Sequence, residues 1–123
     1  MIQGFEYQTA ELTTYEHDML VPVIVAGLKT RIGAKNAMRS TDIAALLVKS
    51  GYPPITGSRV RKCINHIRTN GLVPHLIANS RGYFVATSVE EVERYADSLQ
   101  QRANSILSVK KALTEQLSGK IFL

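Results

Sequence analysis

Apolar residues recur in this chain with a helical period over three stretches, a strand period over a short fourth, and a heptad period in the last. Tyr15, Met19, Leu20, Val23, Ile24 and Leu28 predict a first helix over residues 14–31. Thr13 and Glu16 form a Thr-x-x-Glu capping box ahead of it, and Gly33 can end it. Pro22 lies inside and is expected to kink the helix. The alternative is a helix that starts near Pro22, where proline suits the first turn. Residues 36–39 make a short connection with room for a small strand. Ser40 or Thr41 then caps a second helix, with Asp42 in its first turn and Ile43, Leu46 and Leu47 facing inward. Gly51 stops it, and Pro53-Pro54 forbids its continuation.

A third helix is predicted between Thr56, as N-cap, and Gly71, as the residue that closes it. Val60, Cys63, Ile64 and Ile67 form its apolar side. Ser58, Lys62, Asn65 and Thr69 lie opposite, flanked by Arg59, Arg61, His66 and Arg68. Beyond Gly71 the period changes to two. Residues 72–78 and 83–86 read as strands, with Pro74 placing the first at an edge or near its start, and residues 79–82 (Asn-Ser-Arg-Gly) as the turn between them. Ser88 and Glu91 form a second capping box, followed by a long helix over residues 89–117. Val92, Ala96, Leu99, Ala103, Ile106, Leu113 and Leu117 form a heptad seam interrupted at Lys110, with Leu107 widening it. Residues 1–12 are an arm or short strand, and Ile121-Phe122-Leu123 an apolar tail.

Charge sharpens this picture. The chain has 123 residues, a formal net charge of +5 and a pI near 9.6. Acids and bases balance over residues 1–55 and again over 83–123. The whole excess therefore lies in residues 56–82, as Arg59, Arg61, Lys62, Arg68 and Arg81, with no acid among them. A local excess of this kind suits a polyanion. Arg, Lys and Asn are the side chains that bond guanine and adenine edges in a major groove. Ser58, Arg59, Lys62 and Asn65 are accordingly expected at bases, with His66 and Thr69 at the margin and Thr56 at phosphate. Arg61 and Arg68 are expected at phosphate or as braces, and Arg81, at the hairpin tip, at the minor groove or backbone.

Other chemistry has little support. Cys63 is the single cysteine, so neither a disulfide framework nor zinc-ligand spacing exists. His17 stands beside Asp18 without a nucleophile, and the sequence has no Gly-rich phosphate loop or ligand cluster. No enzyme activity, metal, cofactor or small-molecule ligand is expected. The start of the chain carries no signal-peptide pattern. The apolar run at residues 19–28 is too short to span a bilayer, so a soluble, reducing, cytoplasmic setting is expected.

The stretch SGYPPITGSRVRKCINHIRTNGL, followed by IANSRGYFVA, resembles a winged helix-turn-helix DNA-binding domain. In particular it resembles small proteins of bacteriophages and bacterial mobile elements. The resemblance covers residues 13–87 and implies an α+β, mainly helical fold of three helices plus a β-hairpin wing. It implies a nucleic-acid-binding module in transcriptional regulation or phage-type DNA metabolism. The helix over residues 88–123 departs from a minimal winged helix and is expected to join two copies, so that a homodimer reads duplex DNA. The alternative is a protein-interaction adaptor that uses the same domain and a coiled coil.

Overall fold

The computed structural model describes residues 10–118, which fall into two compact units, before and after Ser88. The first is mainly helical with one small antiparallel sheet. The helices are α1 (Val21–Leu28), α2 (Ser40–Lys49) and α3 (Gly57–Thr69). The strands are β1 (Leu76–Asn79) and β2 (Gly82–Val85). The second unit is one helix, α4 (Val89–Ser118).

The first helical stretch begins with the expected capping box. The Thr13 N–H donates to Glu16 Oε1 at 2.9 Å, and the Glu16 N–H donates to Thr13 Oγ1 at 3.0 Å. A π-helical turn, Glu16–Leu20, then leads into α1, whose first turn holds Pro22. The widened turn lets the Val21 N–H reach the Glu16 carbonyl just where proline lacks a donor and crowds the preceding turn. The stretch is thus continuous across the π turn, and α1 begins at Val21 with the proline in its first turn, as the second reading of Pro22 has it. The buried stripe is Leu20, Val21, Ile24 and Leu28, whereas Tyr15, Met19 and Val23 are exposed. The expected apolar face is therefore rotated toward Val21.

The segment before α2 contains a 3-10 turn, Ala34–Asn36, rather than a strand. Two isolated bridges flank it, Ile32 with Val85 and Met38 with Tyr83. The Met38 N–H donates to the Tyr83 carbonyl at 3.0 Å, and the Tyr83 N–H donates back at 2.8 Å. Helix α2 starts at Ser40 with Arg39 as its cap, so neither Ser40 nor Thr41 is the capping residue. The Arg39 N–H donates to the Asp42 carboxylate at 3.2 Å, and this bond fixes the start one residue earlier than expected. Ile43 and Leu47 are buried as expected, but Leu46 is 45% exposed.

Helices α2 and α3 end alike. Gly51 and Gly71 both have positive φ. The Tyr52 N–H reaches back to the Leu47 carbonyl, and the Leu72 N–H to that of Ile67, each at 3.0 Å. With the paired bonds Gly51 to Val48 and Gly71 to Arg68, both are Schellman closures. Residues 72–75 turn instead of extending, with His75 at φ 63°, so β1 begins at Leu76 and not at Leu72. Asn79 pairs with Gly82 around a two-residue turn in which Asn79 Oδ1 accepts from the Arg81 N–H at 2.7 Å. Gly82 is obligatory there. Its φ is +122°, and a Cβ would come within 2.2 Å of the Met38 carbonyl.

The core joins the stripes of α1, α2 and α3 with Val73 and Leu76. Val60, Cys63 and Ile67 are fully buried, and each buried aliphatic side chain contributes about 1.5–3 kcal/mol. Burial pushes the Cys63 thiol up to about 11, so it is a neutral packing group.

In the second unit, Ser88 caps α4 by accepting from the Glu91 N–H at 3.2 Å. At about 1.5 Å per residue its 30 residues extend roughly 45 Å. Ile106, Leu113 and Leu117 of the seam are more than half exposed. The expected apolar tail at residues 121–123, and residues 1–9 of the expected arm, lie outside the described residues. Among the described residues no helix is long and apolar enough to cross a membrane.

Candidate nucleic-acid interface

Helix α3 owes its position to the buried stripe Val60, Cys63, Ile64 and Ile67 and to its two ends. Thr56 Oγ1 accepts from the Arg59 N–H at 3.2 Å, which makes Thr56 the predicted cap. At the other end Arg68 lies over the Tyr83 ring, 5.8 Å from its centroid, and braces α3 against the hairpin.

Arg59, expected at a base edge, is inside the molecule. Its side chain is 1% exposed and forms a bidentate pair with the Glu16 carboxylate, Nε to Oε2 at 3.0 Å and Nη2 to Oε1 at 2.6 Å. Its remaining donors reach the carbonyls of Ala10 at 2.7 Å and Glu11 at 3.1 Å. The cause is angular. Arg59 adjoins Val60, so it stands at the edge of the buried stripe, and Glu16 on the facing helix draws it inward. The Arg59 guanidinium in turn holds the Glu16 carboxyl below its ordinary value, against the opposing effect of burial. The chain segment at Ala10 and Glu11 is thereby clipped to the start of α3.

In the sequence Glu16 stands out first as half of a capping box. A sharper signal was present: Glu16 lies in register with Leu20, Ile24 and Leu28, and a carboxylate on a buried stripe requires a cation.

The other expected residues divide between two flanks of α3. Ser58, Arg61, Asn65 and Thr69 remain on the outer side, Ser58 half-buried and the rest exposed. Arg61 donates to Ser58 Oγ at 2.8 Å and to Ser40 Oγ at 3.3 Å. The Thr69 hydroxyl bonds back to the Asn65 carbonyl at 2.9 Å. Lys62 lies toward the first helical stretch, 3.7 Å from the exposed Glu11 carboxylate. His66 also turns that way, its ring edge-on to His17 with centroids 5.2 Å apart. That flank holds Glu11 and Asp18 and carries little net charge. Arg81 is exposed at the hairpin turn. The acid-poor surface thus runs from the outer face of α3 toward the hairpin, through Arg61 to Arg81, and not along Lys62 and His66.

Among the described residues no group of three or more His, Cys, Asp or Glu side chains is arranged to hold a metal. Comparison with protein-family models, curated proteins and solved structures finds no match to this chain.

Proposed function

We propose that residues 13–87 are a winged helix-turn-helix that binds duplex DNA in a sequence-specific manner, with α2 and α3 as the helix pair and the β1–β2 hairpin as the wing. The protein acts as a homodimer joined through α4, in transcriptional regulation or phage-type DNA metabolism. The observation that carries this reading is the outer side of α3. Ser58, Arg61, Asn65 and Thr69 face outward without an acid among them, and the hairpin that follows carries Arg81 at its tip. Asn65 is the base reader, Arg61 and Arg81 meet the backbone, and Lys62 has a smaller share because Glu11 stands beside it. Dimerisation is supported by the exposed apolar seam at Ile106, Leu113 and Leu117 and by the length of α4. Half-sites would then be separated by about one helical turn of DNA or a multiple of it.

Selection of bound sequences from a random duplex library, followed by fluorescence anisotropy on the selected site, tests the proposal. Asn65→Ala should relax the preference at one base pair by about 1–3 kcal/mol. Absence of duplex binding at low salt rejects the DNA reading, and co-purification of a protein partner in its place would favour an adaptor. A monomeric full-length chain in sedimentation rejects the dimer.

A further inference from the structure

Arg39 caps α2 by its backbone, and its side chain has a separate setting. It stands at an open cleft of about 360 Å³ where the start of α2, helix α3 and the hairpin turn meet. Its exposed guanidinium donates from Nη2 to the Ser80 carbonyl at 3.4 Å. Arg61 lines the same cleft from α3, tethered by Ser40 Oγ and Ser58 Oγ. Thr41, Asn79 and Ser80 add polar groups, and among the described residues no acidic side chain lines the cleft. The nearest acid in sequence, Asp42, is engaged with the Arg39 amide.

Neither guanidinium forms an ion pair among the described residues. Carbonyl and hydroxyl partners orient a guanidinium without neutralising it, and each arginine has five donors, more than these bonds use. Two full positive charges from different elements therefore converge on one concave surface. The opposite flank of α3 presents Glu11 and Asp18 instead. An approaching polyanion finds little attraction on that flank and is drawn to this one.

We propose that Arg39 and Arg61 form a phosphodiester-binding cleft that takes a backbone phosphate of the DNA whose bases α3 reads. This rests on the DNA-binding reading above. It adds a residue outside α3 and the hairpin, and it fixes the side of α3 along which the strand passes. Bidentate capture by planar guanidinium groups suits a phosphate oxygen pair.

The test is anisotropy with the full chain on its selected duplex and on a scrambled one, between about 50 and 200 mM salt. Arg39→Gln should weaken binding several-fold to the same degree on both duplexes and lower the salt slope by about 0.9. Arg39→Lys should keep most of the slope, and Lys35→Gln, away from the cleft, should change nothing. If the wild type binds and Arg39→Gln matches it in affinity and slope, the cleft is overturned while the DNA reading stands. If the wild type binds neither duplex, both fall. Arginine side-chain NMR shifts with inorganic phosphate alone, without any DNA effect of Arg39→Gln, would mark a free-anion site and likewise overturn the assignment. Arg39 is exposed, and an unchanged unfolding midpoint confirms that its variants remain folded.

Discussion

Replacing Arg59 by methionine should cripple folding of the first unit and leave base preference alone. The substitution removes the cation and nearly preserves length, so the Glu16 carboxylate stays 6% exposed with the Thr13 N–H as its remaining named donor. Breaking a buried pair from one side costs about 3–5 kcal/mol, because the surviving charge is left uncompensated. At about 0.05–0.15 kcal/mol per residue, a unit of roughly 80 residues holds about 4–12 kcal/mol in total. The variant should therefore lose between about a quarter and all of its stability. Urea unfolding at neutral pH, followed by circular dichroism, should show a midpoint lowered by about 1.5 M or more, given a slope of about 1–2 kcal/mol/M. The double variant Glu16→Leu with Arg59→Met leaves neither charge unpaired and should recover most of the loss. If Arg59→Met stays within about 0.5 kcal/mol of wild type yet abolishes DNA binding, Arg59 belongs to the DNA surface and this reasoning fails.

The same pair sets the acid limit of stability. The folded-state pKa of Glu16 is depressed, so its contribution is complete above the ordinary value of 4.5 and is lost as pH falls through the lower folded value. In a pH series of thermal melts, the gap between wild type and Glu16→Gln should be constant near neutrality and close below that point. Gly82→Ala should destabilise by more than about 2 kcal/mol, since φ +122° and the Met38 carbonyl both oppose a Cβ; a near-native melting temperature would contradict the close approach. Thr56→Ala should cost about 1 kcal/mol through the lost cap of α3, measurable by denaturant titration, whereas Thr56→Ser should cost much less.

Signals of local origin were legible in the sequence. Thr56, Gly71 and Ser88 mark ends that depend on bonds within a few residues, and the stripe Val60, Cys63, Ile64 and Ile67 needs only a helical period. Positions at stripe edges were not legible. Residues four apart on a helix differ by only about 40°, so Arg59 stands close enough to the line of Cys63 to turn either way. The choice is made by Glu16, distant in sequence. The same limit explains Leu46, on the expected inward face yet exposed. Strand β1 starts late because His75 adopts a left-handed φ that period-two patterning does not reveal. The part played by Arg39 depends on the hairpin turn coming alongside α2, a tertiary event with no mark in the local pattern.

During synthesis the stripes of α1, α2 and α3 can close on one another once Ile67 has been made, because Glu16 and Arg59 both precede it. The backbone of Met38 waits for Tyr83, and the Arg31 carbonyl and Gly33 amide wait for Val85. A nascent chain would thus pass through a three-helix stage whose residues 31–38 present an unpaired edge, and β2 covers that edge when it arrives. The hairpin is the closing piece of the unit as well as the carrier of Arg81. Proteolysis of chains stalled at increasing lengths should find the Arg59 region protected before residues 31–38, and the reverse order would rule out this sequence of events.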